Sequence, residues 1–439
     1  MLIQFSIGNY KSFHQIVTFS MVAAALTSKD KCLDDHNVFK VDDELSLLKS
    51  AAIYGANASG KSNLIAAIEF MRQFVLNSSK NTQADEPIPV EVFRLNSESV
   101  TQPAHFEMVF IMGGTQYRYG FEITAAKVVA EWLFYVPKAR EARLFERRNN
   151  EFTLSKIFKE GKNLKDKTRD NALFLSVVAQ FNGATSIKIL EWFASLAIIS
   201  GMRHDTLQLY TLQVFDNSQY RNEIVELVKR LDVGIDTIQL KKTPSNLFNI
   251  QKKLNLPDKF KGVVDEIKRV QGNDNTQYVE IITTHRKFDA AGNEIEPELF
   301  DMTDNESEGT KKLFALAGPL IDILAKGRVL LVDELDAQLH PLITRALINL
   351  FNSNETNSRN AQLIFATHDT NLLSKDIFRR DQIWFAEKNR FGETQLYSLA
   401  EYNVRNDASY ESNYIQGRYG AIPFIGDLRA ILGGAHAEG

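Results

Sequence analysis

The stretch AAIYGANASGKSNL, residues 51–64, sets how the rest of the chain is read. It carries Gly55, four intervening residues, then Gly60, Lys61 and Ser62, and it follows LLKSAAIY (47–54), an apolar run with the character of a buried strand. Glycine at 55 and 60 permits backbone angles that a Cβ would forbid. The run GKSNLIAAIEFMRQFVL (60–76) then reads as a helix whose free N–H groups point into the loop, which makes the loop an anion site. Lys61 is placed to neutralise the β- and γ-phosphates of a polyphosphate, and the Ser62 hydroxyl suits Mg²⁺, because a hard cation takes oxygen ligands. An ordinary strand-to-helix turn with a solvated lysine is the alternative. Strand, loop and helix in register argue against it.

A chain of 439 residues exceeds what one hydrophobic core usually supports, so two lobes are expected. With 44% hydrophobic and 24% charged residues the composition is that of an ordinary soluble protein. Cys32 is the single cysteine, so no disulfide can form within the chain and a reducing compartment is the simplest reading. MLIQFSIGNYKSF at the start alternates like a strand instead of resembling a signal peptide. No apolar run approaches the roughly 18 residues a membrane helix needs, so a cytoplasmic protein without membrane contact is expected. The formal net charge of −4 argues against blanket attachment to nucleic acid.

One local patch departs from that balance. Residues 138–169 hold eleven Lys and Arg against five Asp and Glu. A basic groove for nucleic acid, with Phe145, Phe152 and Phe158 available to stack on bases, is one reading. A solvated face of a hairpin and helix, with those aromatics filling a small core, is the other, and the moderate charge density favours it.

Residues 1–20 read as two strands joined near GNYKSFHQ, and the region from Phe93 to Phe134 as an antiparallel meander turning at Gly113 and Gly114. From about 170 to 270 the pattern turns helical: SIKILEWFASLAII, YRNEIVELVKRL and PDKFKGVVDEIKRVQ carry apolar residues three and four apart. None sustains a heptad, which excludes a long coiled-coil arm. TQYVEIITTHRKFDAAGNEI returns to strand and hairpin character.

Far downstream, RVLLVDELDAQLHP (328–341) is a buried apolar strand ending in two carboxylates. In a phosphate-loop protein Asp333 would hold Mg²⁺ through water and Glu334 would polarise the attacking water. LIFATHDTNLL is the next buried strand and delivers His368, 35 residues after Asp333, where an imidazole can hydrogen-bond a γ-phosphate oxygen. A third element, NESEGTKKLFALAGPLIDIL (305–324), sets Ser307, Gly309 and Thr310 before an apolar helix as a second anion-binding N-terminus, about 25 residues upstream of the acidic pair.

This third element resembles the signature sequence of ABC-type ATPases, here in the form SEGTKK, and LDAQLHP resembles the D-loop, with Asp336 at its acidic position. The resemblance implies that the signature of one subunit closes over the nucleotide held by the other, so that the protein works as a homodimer or higher homo-oligomer with ATP and Mg²⁺ as cofactors. About 245 residues separate Lys61 from Ser307, which resembles the SMC, RecF and OLD branch with a lobe between its two half-motifs. IGNYKSF also resembles that branch, and implies a nucleotide contact for Lys11. The candidate nucleotide-binding residues are therefore Gly55, Asn57, Ser59, Gly60, Lys61, Ser62 and Asn63 with Lys11; Ser62 and Asp333 are the metal ligands, and Glu334, His368 and Lys61 the catalytic set. Gln83 and Gln102 both remain candidates for the Q-loop.

The expected fold is α/β: an ABC-ATPase-like head, with a mixed central sheet, helices and an antiparallel β subdomain, interrupted by a mainly helical lobe. The expected boundaries are 1–135 for the first half of the head, 136–275 for the lobe and 276–439 for the second half. The opening FSIGNYKSF, GANASGKSNL, SEGTKK, DELDAQLHP and the tail YIQGRYGAIPFIG together resemble bacterial abortive-infection and restriction-linked ATPases of the RloA and AbiL type, relatives of the PARIS-system ATPase and OLD proteins. That resemblance implies a sensor or regulator in anti-phage defence. Unlike OLD proteins, the sequence has no Toprim domain after GRYGAIPFIGDLRAIL, so a Toprim-like nuclease is expected as a separate effector. A DNA-repair ATPase binding DNA through its lobe and an ATP-gated scaffold are the competing functions. Glu334 argues against the scaffold, which needs no catalytic carboxylate.

Overall fold

In the computed structural model the described residues are all except 29, 82, 201–204, 217–219, 232–233, 245–276, 406–407 and 425–439. They fall into two compact units, Met1–Arg203 with Asp322–Gly439, and His204–Ile321.

The first unit begins with β1 (Leu2–Gly8), β2 (Val17–Ser20), α1 (Lys31–His36), β3 (Val38–Lys40), β4 (Ser46–Leu48), β5 (Ser50–Tyr54) and α2 (Lys61–Asn77). It continues through β6 (Ala104–Met112), β7 (Thr115–Ile123), β8 (Val128–Val136), β9 (Ala142–Arg148), β10 (Glu151–Leu154), α3 (Phe174–Gln180), α4 (Ala184–Ala194) and β11 (Ala197–Ser200). The second unit holds α5 (Asp205–Asp216), α6 (Arg221–Leu231), β12 (Ile235–Pro244), β13 (Gln277–Phe288), β14 (Glu294–Asp301) and the start of α7 (Glu308–Lys326). The chain then returns to the first unit with β15 (Val329–Asp333), α8 (Pro341–Asn352), β16 (Gln362–Ala366), β17 (Ile383–Lys388), β18 (Thr394–Ser398) and α9 (Tyr410–Ile415).

Among the described residues the first unit is built on two large sheets. One is antiparallel, in the order β10-β9-β8-β7-β6-β1-β2; the other runs β11-β15-β16-β5-β17-β18 and is parallel except for β18. The expected α/β class, with an antiparallel β layer beside a mixed sheet, is the architecture seen. Helix α2 joins the two layers. Its Phe70 and Phe74 meet Phe106 and Phe121 of the antiparallel sheet, while Leu64, Ile65 and Ile68 share one core with Ile53, Leu331 and Ile364 of the parallel sheet.

Register decides what the parallel sheet does. Val332 pairs with Phe365 and Ala366 with Ile53, so β15, β16 and β5 end at one edge. The loop after Tyr54, the carboxylates after Val332 and the histidine after Thr367 therefore emerge together. Ligand sites of parallel sheets lie at the carboxyl ends of the strands.

Three expectations need correction. The boundaries at 136 and 275 do not match the units: residues 136–203 belong to the first unit and the second spans 204–321. SIKILEWFASLAII is not one helix, because α4 stops at Ala194 and Ala197–Ser200 becomes β11, parallel to β15 at the sheet edge. A short apolar run such as LAII fits a buried strand as well as a helix, and an open sheet edge decides between them. Finally, the basic stretch does form the expected hairpin, β9 and β10, but that hairpin extends the meander instead of opening the inserted lobe. The expected helix at PDKFKGVVDEIKRVQ lies outside the described residues.

The stretch 138–169 also explains its own aromatics. Phe145 and Phe158 are buried against Phe174, and Phe152 packs edge-on to the same ring, so they form a core and not a stacking platform. Arg147 is fully buried. Its Nη1 donates to Ala172 O (2.7 Å) and its Nε to Asn149 O (2.8 Å), and it lies 3.9 Å from Glu131. Glu131, equally buried, accepts from Phe174 N (2.6 Å), Leu175 N (2.9 Å) and the Tyr119 hydroxyl (3.0 Å). Burial pushes the Glu131 carboxyl up, and Arg147 and these donors pull it back.

In the second unit, Pro319 inside α7 cannot donate to Ala315 O. The Thr211 hydroxyl of α5 donates to that carbonyl instead (2.7 Å) and accepts from Gly318 N (3.2 Å). A Cβ on Gly318 would stand 2.6 Å from Thr211, which is why the helix carries glycine beside its proline. Among the described residues no helix is long and apolar enough to cross a membrane.

Candidate nucleotide site

The loop between β5 and α2 has the backbone its glycines foretell. Gly60 caps α2 in the left-handed region, at φ +115°. A Cβ there would stand 2.3 Å from Thr394 Oγ1, and one on Gly55 would stand 2.3 Å from Ala386 O. Asn57 is exposed, whereas Ser59 is buried. Lys61 is buried too and folds back over the loop, donating to Gly55 O (2.8 Å) and Ala56 O (3.0 Å). Burial lowers its pKa, while Asp333, Glu334 and Asp336 act in the opposite direction.

The deciding contact joins residues 271 positions apart: Ser62 Oγ donates to Asp333 Oδ1 at 3.1 Å. Two hard oxygen donors lie side by side at the start of α2 and the end of β15, a pair that suits Mg²⁺. Among the described residues no group of three or more His, Cys, Asp or Glu forms a metal cage. A cation held by Ser62 and Asp333 would thus complete its shell with phosphate and water oxygens, as Mg²⁺ usually does.

Glu334 follows directly, at φ +58°, a left-handed conformation that costs a non-glycine residue energy. Asp336 Oδ2 accepts from His368 N (3.3 Å), and Leu335 N donates to Ala366 O (3.2 Å), so the expected D-loop is tied to the end of β16. His368 is exposed, yet its pKa is lowered, by partial desolvation first and by Lys61 second, against the pull of Asp336, Glu334 and Asp333. A neutral imidazole at neutral pH follows.

Lys11 lies in the turn between β1 and β2, at φ +49°, with its ammonium 3.7 Å from Glu91. Its neighbour Ser12 makes the contact to the loop, accepting from Asn63 Nδ2 at 2.8 Å. Thr394 has no signal in the sequence, since an ordinary hydroxyl in a strand matches no motif; Ser12 lies within IGNYKSF, but its contact with Asn63 is not read from it. The Q-loop candidates lie elsewhere in the web: Gln83 N donates to Glu86 and Gln102 O accepts from Asn9 Nδ2.

Ser307, Gly309 and Thr310 stand in the second unit, at the start of α7, as expected for a helix N-terminus. The Ser307 hydroxyl accepts from Thr310 N (3.1 Å) and lies 2.9 Å from the Thr310 hydroxyl. The residue before them, Glu306, is tied to β13 by the Thr283 hydroxyl and by His285 Nε2 at 2.7 Å, an anchor invisible to motif reading.

A family described as "AAA domain, putative AbiEii toxin, Type IV TA system" matches residues 50–374, from the first residue of β5 to just beyond His368. The chain belongs to this AAA-domain family. Among solved structures, the SMC head domain from Thermotoga maritima is similar at 14% identity, with a TM-score of 0.38, over 90% of this chain and 98% of that one. No curated protein matches the chain.

Proposed function

We propose that this protein is a Mg²⁺-dependent ATPase whose heads pair through composite sites and whose nucleotide state governs a separate effector in bacterial anti-phage defence. The observation that carries the ATPase reading is the 3.1 Å contact between Ser62 and Asp333, which unites the phosphate loop with the acidic strand end. Backbone N–H groups at the start of α2 face the phosphates. Lys61 neutralises their charge after leaving its loop carbonyls. Mg²⁺, when bound at Ser62 and Asp333, supplies further positive charge against the phosphate oxygens. Glu334 orients the attacking water and accepts its proton as the oxygen bonds to the γ-phosphorus and ADP leaves. His368, neutral and therefore a single N–H donor, reads the γ-phosphate oxygen. The family's description as a putative toxin of a toxin–antitoxin system supports the defence role, as does the resemblance of the tail.

The test is Glu334→Gln, which keeps shape and removes the charge that polarises water. Nucleotide binding should persist while phosphate release falls by roughly 10² to 10⁴. In cells, protection from phage by the parent together with its genomic neighbour should disappear with this variant. Parental turnover by Glu334→Gln would remove the catalytic assignment, and protection indifferent to Glu334 would remove the nucleotide-governed effector.

A further inference from the structure

The turn between β17 and β18 delivers Thr394 to the phosphate loop. Thr394 Oγ1 lies 2.7 Å from Ser59 O and 2.8 Å from Ser12 Oγ, and the same Ser12 Oγ lies 2.8 Å from Asn63 Nδ2. Each hydroxyl owns one hydrogen. The Thr394 hydroxyl donates to Ser59 O, which can only accept, and shares that hydrogen with Ser12 Oγ, which also accepts from Asn63 Nδ2. Through Ser12 and Thr394 these bonds link Asn63, in the first turn of α2, to Ser59, in the last stretch of the loop. Thr394 N also donates to Ser12 O at 2.7 Å, which fixes the turn before β2 against the start of β18. Both hydroxyl residues are buried, so water does not substitute for these bonds. Gly60 presses on the same side chain: a Cβ there would meet Thr394 Oγ1 at 2.3 Å and Cγ2 at 2.7 Å.

Strand β18 has no need of a hydroxyl at 394, since valine would fill the same volume and suit the strand equally. The partners of that hydroxyl all belong to the loop or to the turn of Ser12. The geometry assigns Thr394, acting with Ser12, as a positioning residue that holds the segment from Ser59 to Asn63 in its phosphate-binding shape. This assignment rests on the nucleotide reading of the loop. Neither residue touches phosphate by this account; both set the population of loops ready to receive it.

The experiment titrates the full-length protein with N-methylanthraniloyl ATP and Mg²⁺, alongside phosphate release and thermal melting, for the parent, Thr394→Val, Thr394→Ser and Ser12→Ala. Thr394→Val should weaken nucleotide affinity about tenfold, the loss expected when about one loop in ten keeps the competent shape. KM should rise by a similar factor with kcat changed less than about threefold, because the held shape affects binding more than the chemical step. Thr394→Ser, which retains the hydroxyl, should restore affinity. The Ser12→Ala and Thr394→Val effects should not add, because both cut one chain. Affinity of Thr394→Val within twofold of the parent overturns the assignment, and so does equal weakening by Thr394→Ser, which would implicate packing instead. Should Thr394→Val not fold, Ser12→Ala decides, and parental affinity in that variant sinks the clamp. A parent that binds no fluorescent nucleotide removes the nucleotide reading and the clamp with it, whereas a parent that binds beside an equally binding Thr394→Val removes the clamp alone.

Discussion

Arg147 separates two views of the basic stretch. Its guanidinium has no exposed surface, donates to the carbonyls of Asn149, Ala172 and Arg169, and sits 3.9 Å from the equally buried Glu131. Arg147→Ala would leave those carbonyls without their donor, remove the cation over the Phe152 ring and strand a buried carboxylate. Removing one partner of a buried pair costs about 3–5 kcal/mol. For a cooperative unit of about 320 residues, with an unfolding entropy near 2.1 cal/mol/K per residue, that loss lowers Tm by about 4–8 °C. Arg148, the exposed next residue, provides the control: Arg148→Ala should change stability by no more than about 0.5 kcal/mol. Differential scanning fluorimetry and urea unfolding of the two variants measure the contrast. Equal melting of the two would refute the buried pair as a structural element. The same geometry constrains any test for nucleic acid. Only exposed positions such as Arg143 and Arg148 are suitable for charge reversal, and if they touch phosphates, filter binding by the double variant should show a flatter salt dependence by about one unit per lost contact.

Composite sites make a second prediction: equal mixing of Lys61→Ala and Ser307→Arg protein puts both lesions in one site of each heterodimer and leaves the other intact, so about a quarter of parental turnover should return. Silence at every mixing ratio, with heterodimers verified by mass, would count against pairing of loop and signature across subunits. His368 makes a third, because its lowered pKa comes from partial desolvation and then Lys61. Lys61→Ala should raise the imidazole pKa in an NMR titration, and an unchanged value would place Lys61 outside its field. The sign for stability follows: between the ordinary imidazole value and the lowered folded one, the unfolded chain binds more protons, so stability falls as pH falls through that window. His368→Gln should flatten that limb.

Much of the candidate site was legible because its demands are local. Gly60 must adopt φ +115° wherever the loop is folded, Lys61 and Ser62 must follow it at the helix start, and Asp333 and Glu334 must end an apolar strand. Such requirements leave a pattern in a few adjacent positions. The sequence alone therefore determined the glycine-bounded loop before α2, the α/β class, the meander and the helix start at Ser307. What the tertiary structure decided depends on strand order and register, which no short window carries. The parallel pairing of β15, β16 and β5 is what sets Ser62 3.1 Å from Asp333. An open edge beside β15 turned LAII from helix into strand, and the extension of the antiparallel sheet buried Arg147, making one of the stretch's charges part of the core. Thr394 and Ser12 became neighbours of the loop only through folding, across 382 residues of chain. A hydroxyl in a strand looks the same in sequence whether it faces water or a phosphate loop, because its energy is set by the partner that folding brings to it.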